Sequence, residues 1–144
     1  MEWKMKPRLD PNKISVGEEL LTLKKIITQD KINTYVSAAE DYNPIHVDPE
    51  FAKKTPFKST IAPGYQVLAY LSEMMTRDFG EKWITGGVMD VRLLRPAFPG
   101  DELNVGGRVV EMHAEKCQDL IRCEVWVRNQ KNEDLIVGYT SVSC

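Results

Sequence analysis

An α+β fold, with one antiparallel sheet curled around a single apolar helix, is what this 144-residue sequence predicts. Three observations lead there. Ile121, Cys123, Val125 and Val127 alternate with Arg122, Glu124, Trp126 and Arg128, the period-two signature of a sheet with one buried face. The segments on either side of this one also read as strands, and consecutive strands suggest an antiparallel meander. Tyr65 to Met75 carries apolar residues nearly all round a helix, so that helix must be buried on most sides.

Taken in order, residues 1–17 are irregular and carry Pro7, Pro11 and Gly17. Leu20 to Ile27 reads as a strand. Thr28 is a good helix N-cap, and Asp30 falls in the first turn, where a negative charge suits the helix dipole. Ile32, Tyr35, Val36 and Ala39 then recur at helical spacing, giving a short amphipathic helix that ends near Asp41. Asp48-Pro49-Glu50 starts a second, very short helix with proline in its first position. The central helix follows Ile61-Ala62-Pro63-Gly64. Trp83 to Arg95, Glu102 to Met112, Leu120 to Arg128 and Leu135 to Ser143 read as strands, with a polar hairpin loop from Asn129 to Asp134.

The length predicts one domain, spanning 1–144, with room for a core that needs no staples. A net charge of −2 lacks the footprint of a nucleic-acid binder. Lys53, Lys54 and Lys58, and Arg92 with Arg95, are either solvated surface or contacts for a ligand's phosphates. Cys117, Cys123 and Cys144 form an odd set without metal-ligand spacing, as in a reduced, intracellular protein. The N-terminus lacks the apolar stretch of a secretory signal, and no apolar run approaches the roughly 18–20 residues of a bilayer span. A soluble cytoplasmic protein without membrane partners is expected.

The chemistry concentrates in Asp41-Tyr42-Asn43-Pro44-Ile45-His46-Val47-Asp48. Pro44 pushes Asn43 out of the α region, so a helix arriving from the N-terminal side stops here. Asp41 then sits at the helix end and His46 just beyond the bend. A carboxylate and an imidazole converging on one water can perform general acid–base chemistry. The chain has only two histidines, and His113, after an apolar strand, reads as a surface residue. Taken alone, Asp, Asn and Pro are ordinary turn formers, and the octapeptide reads first as a structural turn.

Asp41-x-Asn43-Pro44-x-His46-x-Asp48-x-x-Phe51-Ala52, followed by Phe57 and Ile61-Ala62-Pro63-Gly64, resembles the MaoC-like (R)-specific enoyl-CoA hydratase family. Arg95-Pro96-x-x-Pro99-Gly100-Asp101 is similar to that family's strand-to-turn segment. The resemblance implies a hot-dog fold and a homodimer or higher homo-oligomer with sheets joined edge to edge. It implies that Asp41 and His46 hold and deprotonate a water, which adds to C3 of a trans-2-enoyl thioester while a proton returns to C2. It assigns Gly64 the donor position of an oxyanion hole at the start of the central helix. Asn43, Pro63 and Tyr65 become candidate substrate contacts. Ser72 aligns with a polar position on the central helix, and fits equally a serine bonded to its own helix backbone. The implied partner is an acyl-CoA or related thioester, with no metal and no cofactor beyond the substrate's own coenzyme A.

The sequence departs from the family at Pro63, where histidine is usual. Proline has no N–H, so Gly64 or a following amide must donate. Two other readings stay open. A hot-dog thioesterase would use Glu73, read here as the one carboxylate well inside the central helix. A non-catalytic acyl-thioester-binding subunit would account for Pro63. Met74 and Met75 either line an acyl pocket or pack in the core.

Overall fold

A computed structural model describes residues 6–113 and 120–143, so Cys117 and Cys144 lie outside the described residues. Five strands, β1 (Leu23–Ile26), β2 (Val88–Leu93), β3 (Glu102–His113), β4 (Leu120–Arg128) and β5 (Asp134–Ser143), form one antiparallel sheet. Their order across the sheet is β1-β3-β4-β5-β2. The last three strands are therefore the expected meander. β2 departs from it by pairing with β5, Val88 opposite Ser141 and Leu93 opposite Ile136. Four helices accompany the sheet: α1 (Gln29–Ala39), α2 (Pro49–Ala52), α3 (Gly64–Phe79) and α4 (Glu81–Gly86).

The caps work as the residue types dictate. Thr28 accepts from the Lys31 N–H at the start of α1, and Asp48 accepts from Glu50 and Phe51 at the start of α2, where Pro49 is the first helical residue. α1 ends two residues before Asp41, because Glu40 turns into the left-handed region with φ 54°. That conformation costs a non-glycine residue about 1 kcal/mol or more. It redirects the chain before Pro44 is reached. Ala39, expected on the buried stripe of α1, is exposed, while Ile32 and Val36 are buried.

The core lies between the sheet and one face of α3. Val67, Leu71, Met74, Met75 and Phe79 project onto Leu103, Val105 and Val109 of β3, Ile121, Val125 and Val127 of β4, and Ile136 and Val142 of β5. Each such side chain contributes roughly 1.5–3 kcal/mol over its exposed state. Met74 and Met75 are thus core residues, and the Met75 sulfur accepts from the Thr140 hydroxyl at 3.3 Å. Cys123 is buried, and desolvation pushes its thiol up to about 12, which leaves it a small core residue without nucleophilic character.

Three expectations need correction. α3 is not buried all round: Tyr65 is 77% exposed and Ala69 lies open, because the sheet of a single chain covers only one helical face. Trp83 to Arg95 is not one strand. Glu81–Gly86 is helical, bracketed by Gly80 and Gly87, and Trp83 donates its indole N–H to Ser72 Oγ at 2.9 Å. The strand begins only at Val88, and at the N-terminal side β1 is shorter than Leu20 to Ile27, starting at Leu23. Glu73 is the carboxylate well inside α3, and the helix runs on to Phe79, so that its last turn also takes in Asp78, which is completely buried.

Candidate active site

The segment from Asp41 to His46 is built by local rules. Asn43 is extended (φ −61°, ψ 122°), as a residue before proline must be, and its Oδ1 accepts the Ile45 N–H at 3.2 Å. Pro44–His46 then forms a single 3₁₀ turn. That turn lays His46 against the loop leading into α3. The Ile61 N–H donates to the Ile45 carbonyl at 3.2 Å, and His46 Nδ1 lies 2.8 Å from the Ile61 carbonyl.

This last contact decides the tautomer. A carbonyl oxygen only accepts, so Nδ1 must carry the hydrogen. In the neutral ring Nε2 is then a bare lone pair. It faces Asp41 Oδ2 at 3.4 Å. His46 is buried, whereas the Asp41 side chain keeps 42% of its surface in solvent. Two acceptors at that distance repel unless a donor stands between them or the ring is protonated. A water that donates one hydrogen to each satisfies the neutral pair. Once protonated, the ring is stabilised by the same carboxylate.

His46 opens onto a pocket of about 320 Å³ lined mainly by apolar side chains, among them Phe57, Ile61, Val67, Leu93, Leu94 and Ile136. Gly64, the first residue of α3, lines the same pocket. Pro63 caps the helix without a side-chain bond, and among the described residues nothing accepts the Gly64 or Tyr65 N–H. Two free amides at the positive end of a 16-residue helix are suited to developing negative charge.

The expected site residues are therefore brought together in part. Asp41 and His46 meet, Gly64 shares the His46 pocket, and Asn43 braces the turn that carries His46. Pro63 and Tyr65 flank Gly64, but neither lines the pocket. Ser72 lies two turns along α3, where its hydroxyl accepts the Trp83 indole N–H, and it does not line the His46 pocket. Glu73 is taken up by Lys25 at 2.6 Å and Arg77 at 3.1 Å, outside the pocket. Lys53 pairs with Glu50 on the surface, and Arg95 stands at the pocket, bonded to the Asp134 carbonyl at 2.9 Å. His113 is exposed beside Glu111. Among the described residues no group of three or more His, Cys, Asp or Glu is placed to hold a metal ion, and no helix is long and apolar enough to cross a membrane.

Comparison with known proteins decides the family. The model of the MaoC like domain matches residues 11–131. The chain belongs to the MaoC-like domain family. Among relatives, 83 residues are 36% identical to 3-hydroxyacyl-thioester dehydratase Z of Mycobacterium tuberculosis, covering 58% of this chain. The match spans only about half the length of that relative, 54%. The (R)-specific enoyl-CoA hydratase of Aeromonas caviae is 25% identical over 103 residues, covering 72% of this chain and 76% of the relative. A solved (R)-hydratase from A. caviae superposes with a TM-score of 0.79 at 22% identity, covering 90% of this chain and 96% of the other. That likeness establishes the hot-dog fold for this MaoC-like chain, with α3 as its central helix.

Proposed function

We propose that this MaoC-like chain is a hydro-lyase that adds water across, or removes it from, the C2=C3 bond of a trans-2-enoyl thioester. The observation that carries this is the Nδ1–H tautomer of His46, which turns the Nε2 lone pair toward Asp41 Oδ2 at 3.4 Å beside an apolar pocket. In the hydration direction a water oxygen bonds to C3, and one water proton passes to Nε2. The C2=C3 electron pair moves toward the thioester oxygen, whose charge the free N–H of Gly64 meets. The proton then goes to C2 as the thioester re-forms. No cofactor takes part beyond the coenzyme A, or other thiol carrier, of the substrate. The product is the (R)-3-hydroxyacyl thioester, a stereochemistry supported by the likeness to the (R)-specific enoyl-CoA hydratase of A. caviae.

We place the activity in the cytoplasm and in a homodimer or larger homo-oligomer. The dimer is supported by β2, which stands at the sheet edge with Val88 and Leu93 exposed. The open edge of a sheet presents unpaired backbone groups to which another chain can add. Crotonyl-CoA tests the activity: loss of the conjugated enone absorbance with formation of the (R)-3-hydroxy product is expected. No turnover on any enoyl thioester, with binding retained, would sink the hydro-lyase reading.

Gly64 offers an independent check. A Cβ there would come within 2.6 Å of Leu93 Cδ2, a side chain half exposed and free to swing. Alanine also favours the helix by up to about 1 kcal/mol. Gly64→Ala is therefore expected to keep the urea midpoint and to lower kcat/KM by about tenfold or more, since a methyl group then stands where the thioester must approach the amide. Unchanged kcat/KM would remove Gly64 from the site.

A further inference from the structure

We propose that Gln29 is a positioning residue, which holds His46 in the tautomer and orientation the reaction needs. The inference rests on the reading of His46 as the base. Gln29 is the first residue of α1, and its amide reaches across to both sides of the His46 contact. Its Nε2 donates to the His46 carbonyl at 2.8 Å and to Asn33 Oδ1 at 2.9 Å. Its Oε1 accepts the hydroxyl of buried Thr60 at 2.7 Å. The amide cannot be turned over, because its oxygen would then face the His46 carbonyl, and two acceptors repel. Thr60 is the residue before Ile61, whose carbonyl receives the Nδ1–H. One side chain thus ties the His46 carbonyl to the hydroxyl of Thr60, the neighbour of the residue whose carbonyl fixes the tautomer. Among the described residues, two other bonds join these segments, Ile61 N–H to the Ile45 carbonyl and Nδ1–H to the Ile61 carbonyl. Without Gln29 the two loops can slide, and misplacement by about 1 Å costs a reaction of this type up to about a hundredfold.

The test is nitrogen NMR of the neutral His46 ring, with His113 as internal reference, alongside kinetics on crotonyl-CoA. The wild-type chain should show one tautomer, Nδ1–H. Gln29→Met should give a mixture of tautomers and lower kcat about ten- to a hundredfold with KM unchanged. Gln29→Glu keeps the acceptor for Thr60 but cannot donate to the His46 carbonyl, so it should not rescue. An unaltered single tautomer in Gln29→Met overturns the proposal, even if kcat falls, because the role would then be merely structural. Should Gln29→Met fail to fold, Thr60→Val carries the same spectral test, with an unaltered tautomer again overturning it. A wild-type chain inactive on enoyl thioesters would refute the hydro-lyase reading, while the tautomer shift would still support or overturn positioning by Gln29.

Discussion

Replacing His46 by alanine is expected to lower kcat for hydration of an enoyl thioester by about 10²–10⁴-fold, the range lost when a general base is removed. KM should change little, since the pocket wall is made by Phe57, Ile61, Val67 and Leu93 as well. The loss follows from the direction of the ring. With Nδ1–H held by the Ile61 carbonyl, Nε2 is the ring nitrogen left free to take a proton. An alanine variant that hydrates crotonyl-CoA at the wild-type rate would eliminate His46 as the base.

Asp41→Asn probes the other half. The amide can still meet a water, but it supplies no negative charge beside the imidazolium that forms when Nε2 takes the proton. A fall of the same class, about 10²–10⁴-fold, is expected. The two losses should not add. Residues acting as one unit are removed as one unit, so Asp41→Asn combined with His46→Ala should be about as slow as the worse single variant. Additive losses would mean that the two side chains work at separate points.

Much of this was legible in the sequence, for reasons that can be named. The strand β4 shows its buried face through Ile121, Cys123, Val125 and Val127, because period two survives any tertiary context that keeps one face dry. Thr28 and Asp48 announced helix starts, because a cap bonds amides only two or three residues away. Asp41 and His46 were visible because a short turn brings them together. What escaped depends on distant partners. Trp83-Ile84-Thr85 has the β-branched and aromatic composition of a strand, yet the Trp83 indole finds Ser72 Oγ and packs under Gly87, and tertiary contact overrides propensity. β2 joins β5 rather than β3, a choice no local pattern records. Gln29 was missed because its partner Thr60 lies 31 residues away, and a glutamine at a helix start carries no signal of its own. The uncovered flank of α3 escaped too, since apolar composition alone cannot say which face a single sheet will reach.

The last turn of α3 lies beyond the apolar stretch from Tyr65 to Met75, and it carries the second large effect. Arg8→Met is expected to destabilise the fold by about 3 kcal/mol, the low end of what breaking a buried ion pair costs. Asp78 Oδ1 receives Arg8 Nε at 2.5 Å, Oδ2 receives the Leu21 N–H at 2.8 Å, and the carboxylate has no exposed surface. The N-terminal segment is clamped here as well by backbone bonds from Arg8 to Arg77 and from Leu9 to Asp78. The hydrogen bond with Asp78 raises the Arg8 pKa above its ordinary value, so the cation is present at every accessible pH. The low end applies because the Arg8 side chain is 43% exposed, and water screens part of the attraction. The cost is one-sided. Methionine at position 8 strands a carboxylate inside an apolar core with a single N–H for company. Removing both charges, as Arg8→Met with Asp78→Leu, deprives the Leu21 N–H and the solvent-exposed Glu19 carbonyl of their partners and should cost less than Arg8→Met alone. Urea unfolding of the wild type, both single variants and the double variant measures this directly. A double variant less stable than Arg8→Met would mean that the Asp78 contacts to backbone, and not the ion pair, hold the N-terminal segment to the central helix.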